Sequence, residues 1–188
     1  MNGGGPGAAA YRLTRPGYDV VHPAIDVSRV ASGAARGRTL IIVVAPNDVQ
    51  IIQIAQQQGN DPAGVFGNDI VAGGGPIPAL AANENLFFIG HGIAGGGGNA
   101  EIGDANGAFA VDGLELWDNF SAIFPGGYGG DVYIDACYSA NYPAGMFSLI
   151  ETFKANADLV LNHTFVFGRT GQVAGLMPPP GDPTWVQA

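Results

Sequence analysis

Four short apolar runs, separated by segments in which apolar residues recur at helical spacing, predict an α/β sheet. They cover residues 39–46, 86–89, 132–134 and 164–167. The first run is continuous and rich in β-branched residues, which is typical of a strand buried on both faces of a parallel sheet. A further short strand is predicted within residues 65–71. The polar residues between these runs therefore mark where the predicted strands end and the predicted helices begin.

Helical periodicity between the strands predicts a doubly wound, mostly parallel sheet with helices on both faces. One helix is capped by Asn47 or Asp48 and closes at Gly59. A second lies within 114–124, and a third is opened by Pro143 and runs from 144 to 155. A short helical turn is predicted over 78–82. The predicted buried face of the third helix contains Met146, Phe147, Leu149, Ile150 and Phe153.

The glycine-rich segments predict loops and turns. Residues 92–106 contain four consecutive glycines and predict a long loop that acts as a flap beside the preceding strand. This loop lacks the Gly-Lys-Ser/Thr of a phosphate-binding loop, which disfavours a nucleotide site. Residues 109–111 are predicted to belong to a small hairpin, and 159–161 to a short strand or buried turn. The proline-rich end predicts an extended tail that Trp185 pins to the body.

Two of the predicted strands end on residues with catalytic chemistry. The run at 86–89 stops at His91, between two glycines, and the run at 132–134 leads to Cys137, the single cysteine of the chain. Side chains at the carboxyl ends of parallel strands emerge together at one edge of the sheet. A free thiol has a pKa of roughly 8.5, so a neighbouring imidazole is needed to take its proton. The pattern predicts a His-Cys dyad, although either residue alone is also compatible with an ordinary turn histidine or a buried structural thiol.

Both motifs resemble those of the caspase-like cysteine peptidases of clan CD. The matching segments are Phe87-Phe88-Ile89-Gly90-His91-Gly92 and Val132-Tyr133-Ile134-Asp135-Ala136-Cys137. In caspases the histidine lies about 50 residues before the cysteine, and the spacing here is similar. The form Asp-Ala-Cys is similar to that of clostripain-like members, and Ser139 is similar to the serine of the Cys-x-Ser found in metacaspases. The resemblance covers about residues 39–170 and implies a caspase-like fold and cysteine endopeptidase activity.

The resemblance also implies roles for individual residues. Cys137 would be the nucleophile, His91 the general acid/base, and the backbone amides of Gly92 and Cys137 the oxyanion donors. Asp135 would line the pocket for the P1 side chain and favour Arg or Lys, with a structural hydrogen bond at the strand end as its alternative role. Arg169 and Ser139 are further candidate substrate-binding residues. Arg169 stands where related enzymes usually carry a second acid, so it would either neutralise Asp135 or favour an acidic or small P1 residue.

Charge is distributed unevenly along the chain, whose formal net charge is −9. Residues 1–38 contain five arginines and two aspartates, a net charge of +3, and are predicted to be a weakly ordered basic arm. Residues 39–188 contain two basic and fourteen acidic residues, a net charge of −12, and are predicted to form the peptidase domain. An acidic body disfavours nucleic acid and polyphosphate ligands, including the inositol phosphates that activate some toxin domains of the resembled family.

Partners, cofactors and location follow from what the sequence contains. The expected partner is a protein or peptide substrate, with a regulatory partner through the arm as a further hypothesis. No apolar run approaches 18 residues and no signal-peptide pattern opens the chain, so neither a membrane nor secretion is expected. A single cysteine agrees with a reducing compartment, and the prediction is cytoplasmic. The chemistry needs no metal; calcium is an alternative through Asp104 and Asp112, whose spacing matches no EF-hand.

Two rival functions stay open on the sequence alone. One is a catalytically silent caspase fold that serves as a binding or scaffold module, and the other is a different thiol enzyme such as an acyltransferase. For the arm, the hypotheses are a pro-segment, a docking peptide or a plain leader. If the enzyme prefers basic P1 residues, Arg36 and Arg38 are the expected sites of self-processing.

Overall fold

A six-stranded sheet forms the centre of the protein in a computed structural model, which describes residues 39–45, 47–59, 69–71, 77, 79–94, 99–141, 147–161 and 164–188. Its strands are β1 (Thr39–Val43), β2 (Asp69–Val71), β3 (Asn85–Ile89), β7 (Val132–Asp135), β8 (Val166–Gly168) and β9 (Val186–Gln187). They lie in the order β2-β1-β3-β7-β8-β9. The first five are parallel to their neighbours and β9 is antiparallel to β8. The prediction of an α/β protein with a mostly parallel sheet is confirmed.

Three α-helices in the described part of the chain pack on the two faces of this sheet. They are α1 (Val49–Gly59), α2 (Gly113–Phe120) and α3 (Leu149–Ala157), and α2 continues into a 3₁₀ turn (Ser121–Ile123). Alternate residues of β1 point to opposite faces because side chains alternate along a strand. Leu40 and Ile42 join the core that α2 and α3 cover, whereas Ile41 and Val43 join the core under α1. Both faces of β1 are therefore buried, as its continuous apolar run predicts.

A second, three-stranded antiparallel sheet follows β3 directly. It consists of β4 (His91–Ala94), β5 (Ala100–Gly103) and β6 (Ala110–Asp112). The hairpin predicted around 109–111 is confirmed as β5 and β6, but the prediction of one long loop over 92–106 is wrong. Residues 91–94 and 100–103 pair as strands instead, with His91 opposite Gly103. The glycines at 95–98 lie outside the described residues, and so does the flap predicted there.

The third helix begins later than predicted. Ser148 accepts a hydrogen bond from the backbone N–H of Glu151, whose side chain bonds back to the N–H of Ser148. This capping box fixes the first turn at Leu149. Phe147, predicted to lie on the buried face, precedes the cap and is 70% exposed. Residues 142–146, including Pro143 and Met146, lie outside the described residues.

Three smaller predictions have mixed outcomes. No helix forms over the described residues 77 and 79–82; Leu80 there donates its N–H to the carbonyl of Ile123. Residues 158–160 form a turn, in agreement with one of the two predicted alternatives for 159–161. The predicted burial is wrong for Leu159 and Val160, which are exposed, and correct for Leu161. Trp185 is buried against Phe87 and Tyr133, which confirms that it pins the tail.

The helices of the described part of the chain are short. None of them is long and apolar enough to cross a membrane.

Candidate functional site

The carboxyl ends of β1, β3 and β7 lie side by side and form the floor of the candidate site. Val44 donates its N–H to the carbonyl of Ile89 at 2.9 Å, and Gly90 donates to the carbonyl of Asp135 at 3.4 Å. The chain leaves β1 towards β2 on one side and returns to β3 on the other. Such a switch in strand order opens a crevice at the carboxyl ends, where ligands bind in open α/β sheets.

His91 leaves this floor as the first residue of β4, and its ring is fixed by a carboxylate from the neighbouring strand end. Its Nε2 lies 3.1 Å from Oδ2 of Asp48, with side-chain exposures of 31% for His91 and 15% for Asp48. The other oxygen of Asp48 accepts from the backbone N–H groups of Gln50 and Ile51 at 3.0 and 3.2 Å. Asp48 therefore caps α1 with one oxygen and holds His91 with the other.

The charged form of Asp48 is favoured in this position. Burial acts to raise its pKa, but the hydrogen bonds from Ile51, His91 and Gln50 outweigh burial, so the pKa lies below its ordinary value. Sequence reasoning identified Asp48 only as a helix cap. The signal that would have found its second role is a carboxylate in the connection between β1 and α1, because the end of β1 lies beside the strand that leads to His91.

Cys137 lies in a tight turn directly after β7. Ser139 donates its N–H to the carbonyl of Ala136 at 3.1 Å, and Tyr138 between them has a φ of 58°, a left-handed conformation that is rare for a residue with a side chain. The N–H of Tyr138 bonds to the carbonyl of Gly171. Local strain of this kind clusters at functional sites. The turn presents the sulfur at the edge of the sheet.

One wall of the site is the segment after β8, which lies against the sulfur. The backbone N–H of Val173 donates to Sγ of Cys137 at 3.2 Å. A cavity of about 130 Å³ opens beside this contact. The strand ends of the sheet contribute Ile89, Gly90, His91, Asp135 and Cys137 to its lining. Helix α1 contributes Gln50, Ile51 and Ile54, and the segment after β8 contributes Val173, Ala174 and Gly175. The two residues of the predicted dyad thus line one cavity.

Gly92 brings the backbone of β4 against the backbone of Cys137. A Cβ atom at Gly92 would lie 1.9 Å from the carbonyl oxygen of Cys137 and 2.8 Å from its nitrogen. These distances exclude any side chain at this position. The two residues predicted to supply oxyanion donors are therefore adjacent.

Asp135 is the buried carboxylate of the site. It is 2% exposed, and its Oδ1 has no hydrogen-bond partner in the described part of the chain. Burial raises its pKa to about 6, partly opposed by the positive charge of Arg169. A buried polar atom without a hydrogen-bond partner is uncommon in folded proteins and costs free energy. Its position in the cavity wall leaves it available for a cationic group of a ligand.

Arg169 and Ser139 are placed differently from Asp135. The guanidinium of Arg169 donates to the hydroxyl of Thr184 at 2.9 Å and lies 5.1 Å from the centre of the Trp185 ring. Ser139 is 1% exposed, and its hydroxyl donates to the carbonyl of Ile134 and accepts from the N–H of Arg169. Neither residue lines the cavity. Ser139 instead ties the cysteine turn to the end of β8.

The carboxylates considered for calcium have structural partners. Asp112 caps α2 and accepts from Asn99. Oδ2 of Asp104 accepts from the N–H of Phe109, while its buried Oδ1 has no partner in the described part of the chain. Within the described ranges, no group of three or more His, Cys, Asp or Glu residues lies close enough to hold a metal ion. Calcium dependence stays a hypothesis from the sequence.

A comparison with models of protein families, with curated proteins and with solved structures found no match to this chain. The function is therefore inferred from the geometry of the site itself.

Proposed function

We propose that this protein is a cysteine endopeptidase in which Cys137 attacks the peptide carbonyl and His91 transfers the protons. The observation that carries the proposal is that both residues leave neighbouring parallel strands and line one cavity at their carboxyl ends. A caspase-like fold and a cytoplasmic location belong to the same proposal. They are supported by the two motifs and by the strand arrangement that presents them.

Asp48 supports the proposal by fixing the ring of His91. When Nε2–H donates to the Asp48 carboxylate at 3.1 Å, Nδ1 is left as the basic nitrogen of the neutral ring. A carboxylate in this position also stabilises the imidazolium that forms when the ring accepts a proton. The proposed unit is therefore a catalytic dyad of Cys137 and His91, with Asp48 as the positioning residue.

The proposed reaction has two covalent stages. Sγ of Cys137 forms a bond to the carbonyl carbon while its proton passes to Nδ1 of His91. The C–N bond then breaks, and the imidazolium gives its proton to the leaving amine. A water molecule, deprotonated by His91, attacks the thioester carbon, and the C–S bond breaks as the imidazolium returns its proton to Sγ. This frees the acid product and restores the thiol. Thiol and imidazole supply the nucleophile and every proton transfer, so this reaction needs no metal or organic cofactor.

The backbone amides of Gly92 and Cys137 are the proposed donors to the oxyanion. Support comes from the close approach of these two residues, which leaves no room for a side chain at Gly92. Paired N–H donors held by rigid backbone stabilise the negative oxygen of a tetrahedral intermediate. The strained turn at Tyr138 would serve to aim the amide of Cys137.

The proposed substrate is a protein or peptide with Arg or Lys at P1. The orphaned Oδ1 of Asp135 supplies a buried negative charge in the cavity, and a guanidinium or ammonium group would complete its hydrogen bonding. Arg169 does not compete for this role, because its guanidinium is held by Thr184 and Trp185. An acidic P1 residue would instead be repelled by Asp135.

Peptidyl acyloxymethyl ketones that differ only in P1 residue test the proposal. The Arg and Lys probes should label the full-length protein covalently at Cys137, and the Asp and Leu probes should label it at least about tenfold more slowly. Cys137→Ala is the control and should take up no label. Cleavage of a matching peptide substrate distinguishes the proposed endopeptidase from both rival functions. A silent binding module would not turn over the peptide, and an acyltransferase would need an acyl acceptor other than water.

A further inference from the structure

A second cavity lies on the face of the sheet over β7 and β8 and reaches the amino-terminal edge of the sheet at Asp131. Its volume is about 540 Å³, and Asp131, which lies immediately before β7, contributes to its wall. The other lining residues are Tyr133, Phe167, Pro180, Gly181, Asp182, Pro183 and Trp185. The tail folds over the sheet here, so that sheet and tail face each other across the cavity. The proposed peptidase chemistry makes no use of this space.

Aromatic rings form one side of the cavity. The ring of Tyr133 stacks on that of Phe167 with centroids 5.0 Å apart, and Trp185 packs edge-on against Tyr133 at 5.1 Å. Aromatic faces attract cations, and arginine most often. Trp185 already has the guanidinium of Arg169 5.1 Å from its ring centre. That contact shows that a guanidinium group can pack against this wall.

Carboxylates give the cavity a negative charge. Asp131 lies beside the hydroxyl of Tyr133, 3.5 Å away, and burial raises the pKa of Asp131 above its ordinary value. Asp182 accepts from the N–H and the hydroxyl of Thr184. Among the described residues that line the cavity there is no Lys or Arg. A cation that enters would meet Asp131, which has no cationic partner among the described residues of the wall, whereas Asp182 already interacts with the positive charge of Arg169.

The basic segment 1–38 joins the sheet at the same edge. Thr39 is the first residue of β1 and pairs with Asn85 of β3, whose side-chain oxygen accepts from the N–H of Asp131 at 3.1 Å. Because neighbouring strands are about 4.8 Å apart, Thr39 lies roughly 10 Å from Asp131. Each extended residue adds about 3.3 Å of reach, before the length of an arginine side chain is counted. Arg36 and Arg38, which precede Thr39, are thus within reach of the cavity.

We propose that segment 1–38 docks on this cavity through Arg36 and Arg38, whose guanidinium groups bind between the aromatic wall and the carboxylates of Asp131 and Asp182. Charge complementarity supports this occupant, since the segment carries +3 and the rest of the chain −12. Docking beside Asp131, at the amino end of β7, holds these two arginines away from Cys137, which follows the carboxyl end of the same strand. The segment would thereby be kept out of the enzyme's own active site.

A charge-removal experiment on the full chain tests the docking. All variants carry Cys137→Ala, which keeps segment 1–38 intact. The readout is the indole N–H resonance of Trp185, assigned with a Trp117→Phe variant, together with the urea midpoint at low and high salt. R36Q/R38Q should shift the Trp185 resonance and lower the folding equilibrium constant about two- to fivefold at low salt, with little effect at high salt.

R12Q/R15Q is the matched control, because it removes the same charge from the same segment at positions more than twenty residues from Thr39. It should leave the Trp185 resonance unchanged. Asp131→Asn should remove most of the effect of R36Q/R38Q, as expected for a shared contact. Equal effects of the two arginine pairs would overturn the proposal in favour of general charge attraction. An unmoved Trp185 resonance in R36Q/R38Q, or full additivity with Asp131→Asn, would also overturn it.

Discussion

The carboxylate of Asp48 lies 3.1 Å from Nε2 of His91, across the boundary between the ends of β1 and β3. The two residues are 43 positions apart in sequence, and the parallel pairing of the two strands brings them together. Asp48 is rigid because its other oxygen caps α1. The histidine that should serve as general base is thus oriented by a residue fixed in the sheet-to-helix connection.

Asp48→Asn should lower kcat by about 100-fold and change KM little. An asparagine caps a helix about as well as an aspartate, so α1 should keep its stability. Its amide would favour donation to Nε2, which puts the ring proton on Nδ1 and removes the basic nitrogen needed for catalysis. Steady-state kinetics with an Arg peptide measure the effect.

Asp48→Ser is the matched control for this prediction. Serine also caps helices but is too short to reach His91. Its kcat should fall, and its urea midpoint should stay close to that of the wild type. Normal kcat in both variants would show that His91 needs no positioning residue.

Asp135→Asn should stabilise the protein at pH 7 and have little effect at pH 4. The folded-state pKa of Asp135, about 6, lies above the ordinary value of 3.8, so the folded state binds the proton more tightly than the unfolded state. The wild type therefore loses stability as the pH rises from about 4 to about 6. A neutral amide avoids that loss, which amounts to about 2–3 kcal/mol at pH 7. Urea unfolding at both pH values measures it, with Asp118→Asn, at an exposed position of α2, as the control.

The same substitution should weaken cleavage after Arg. Loss of the buried negative charge should lower kcat/KM for an Arg substrate by about 1–3 kcal/mol of transition-state binding and leave a Leu substrate nearly unchanged. A variant that gains stability while losing Arg selectivity would identify Asp135 as a residue kept for recognition. An unchanged preference for Arg would move the P1 pocket elsewhere.

The sheet could be predicted from the sequence because its signals are local. A continuous run such as 39–46, bounded by a polar cap, is distinctive for a buried parallel strand. The prediction of a loop over 92–106 was wrong because it rested on the frequency of glycine. The structure of that segment is determined instead by the pairing of residues 91–94 with residues 100–103. Strand β9 was missed because two exposed residues after a proline-rich tail carry no periodic signal. The start of α3 at Leu149 could have been predicted, because Ser148 and Glu151 have the spacing of a capping box.

The site was predictable to the extent that it lies at strand ends. His91, Cys137, Gly92 and Asp135 all follow or end apolar runs, and they meet at one edge of the sheet. The second role of Asp48 depends on which strands are neighbours, and that is set by topology. The burial of Ser139 and the contact of Arg169 with Trp185 depend on how the tail folds back. Neither could be derived from residue spacing.

Self-processing, if it occurs, should not release Thr39 as a new amino terminus. Thr39 is 1% exposed and paired within β1, so the bond after Arg38 cannot enter an active site unless the strand opens. Arg36 lies only three residues before Thr39, so cleavage after Arg36 is also not expected. Cleavage is expected after Arg29 or Arg12, since Arg15 precedes Pro16. Mass spectrometry of wild-type and Cys137→Ala protein checks this, and a wild-type species that begins at Thr39 would contradict it.

The most direct test of the peptidase proposal is turnover of an Arg peptide by wild type, Cys137→Ala and His91→Ala, with circular dichroism to confirm that each is folded. Cys137 is partly exposed at the strand end, so replacing its thiol should leave the fold intact. Members of one catalytic unit are not additive, so each single variant should lose nearly all activity and the double variant little more. Wild-type turnover that disappears in both folded variants is the predicted result. Full turnover in either variant, or no turnover by a wild type that the Arg probe labels, would contradict the proposed catalytic dyad.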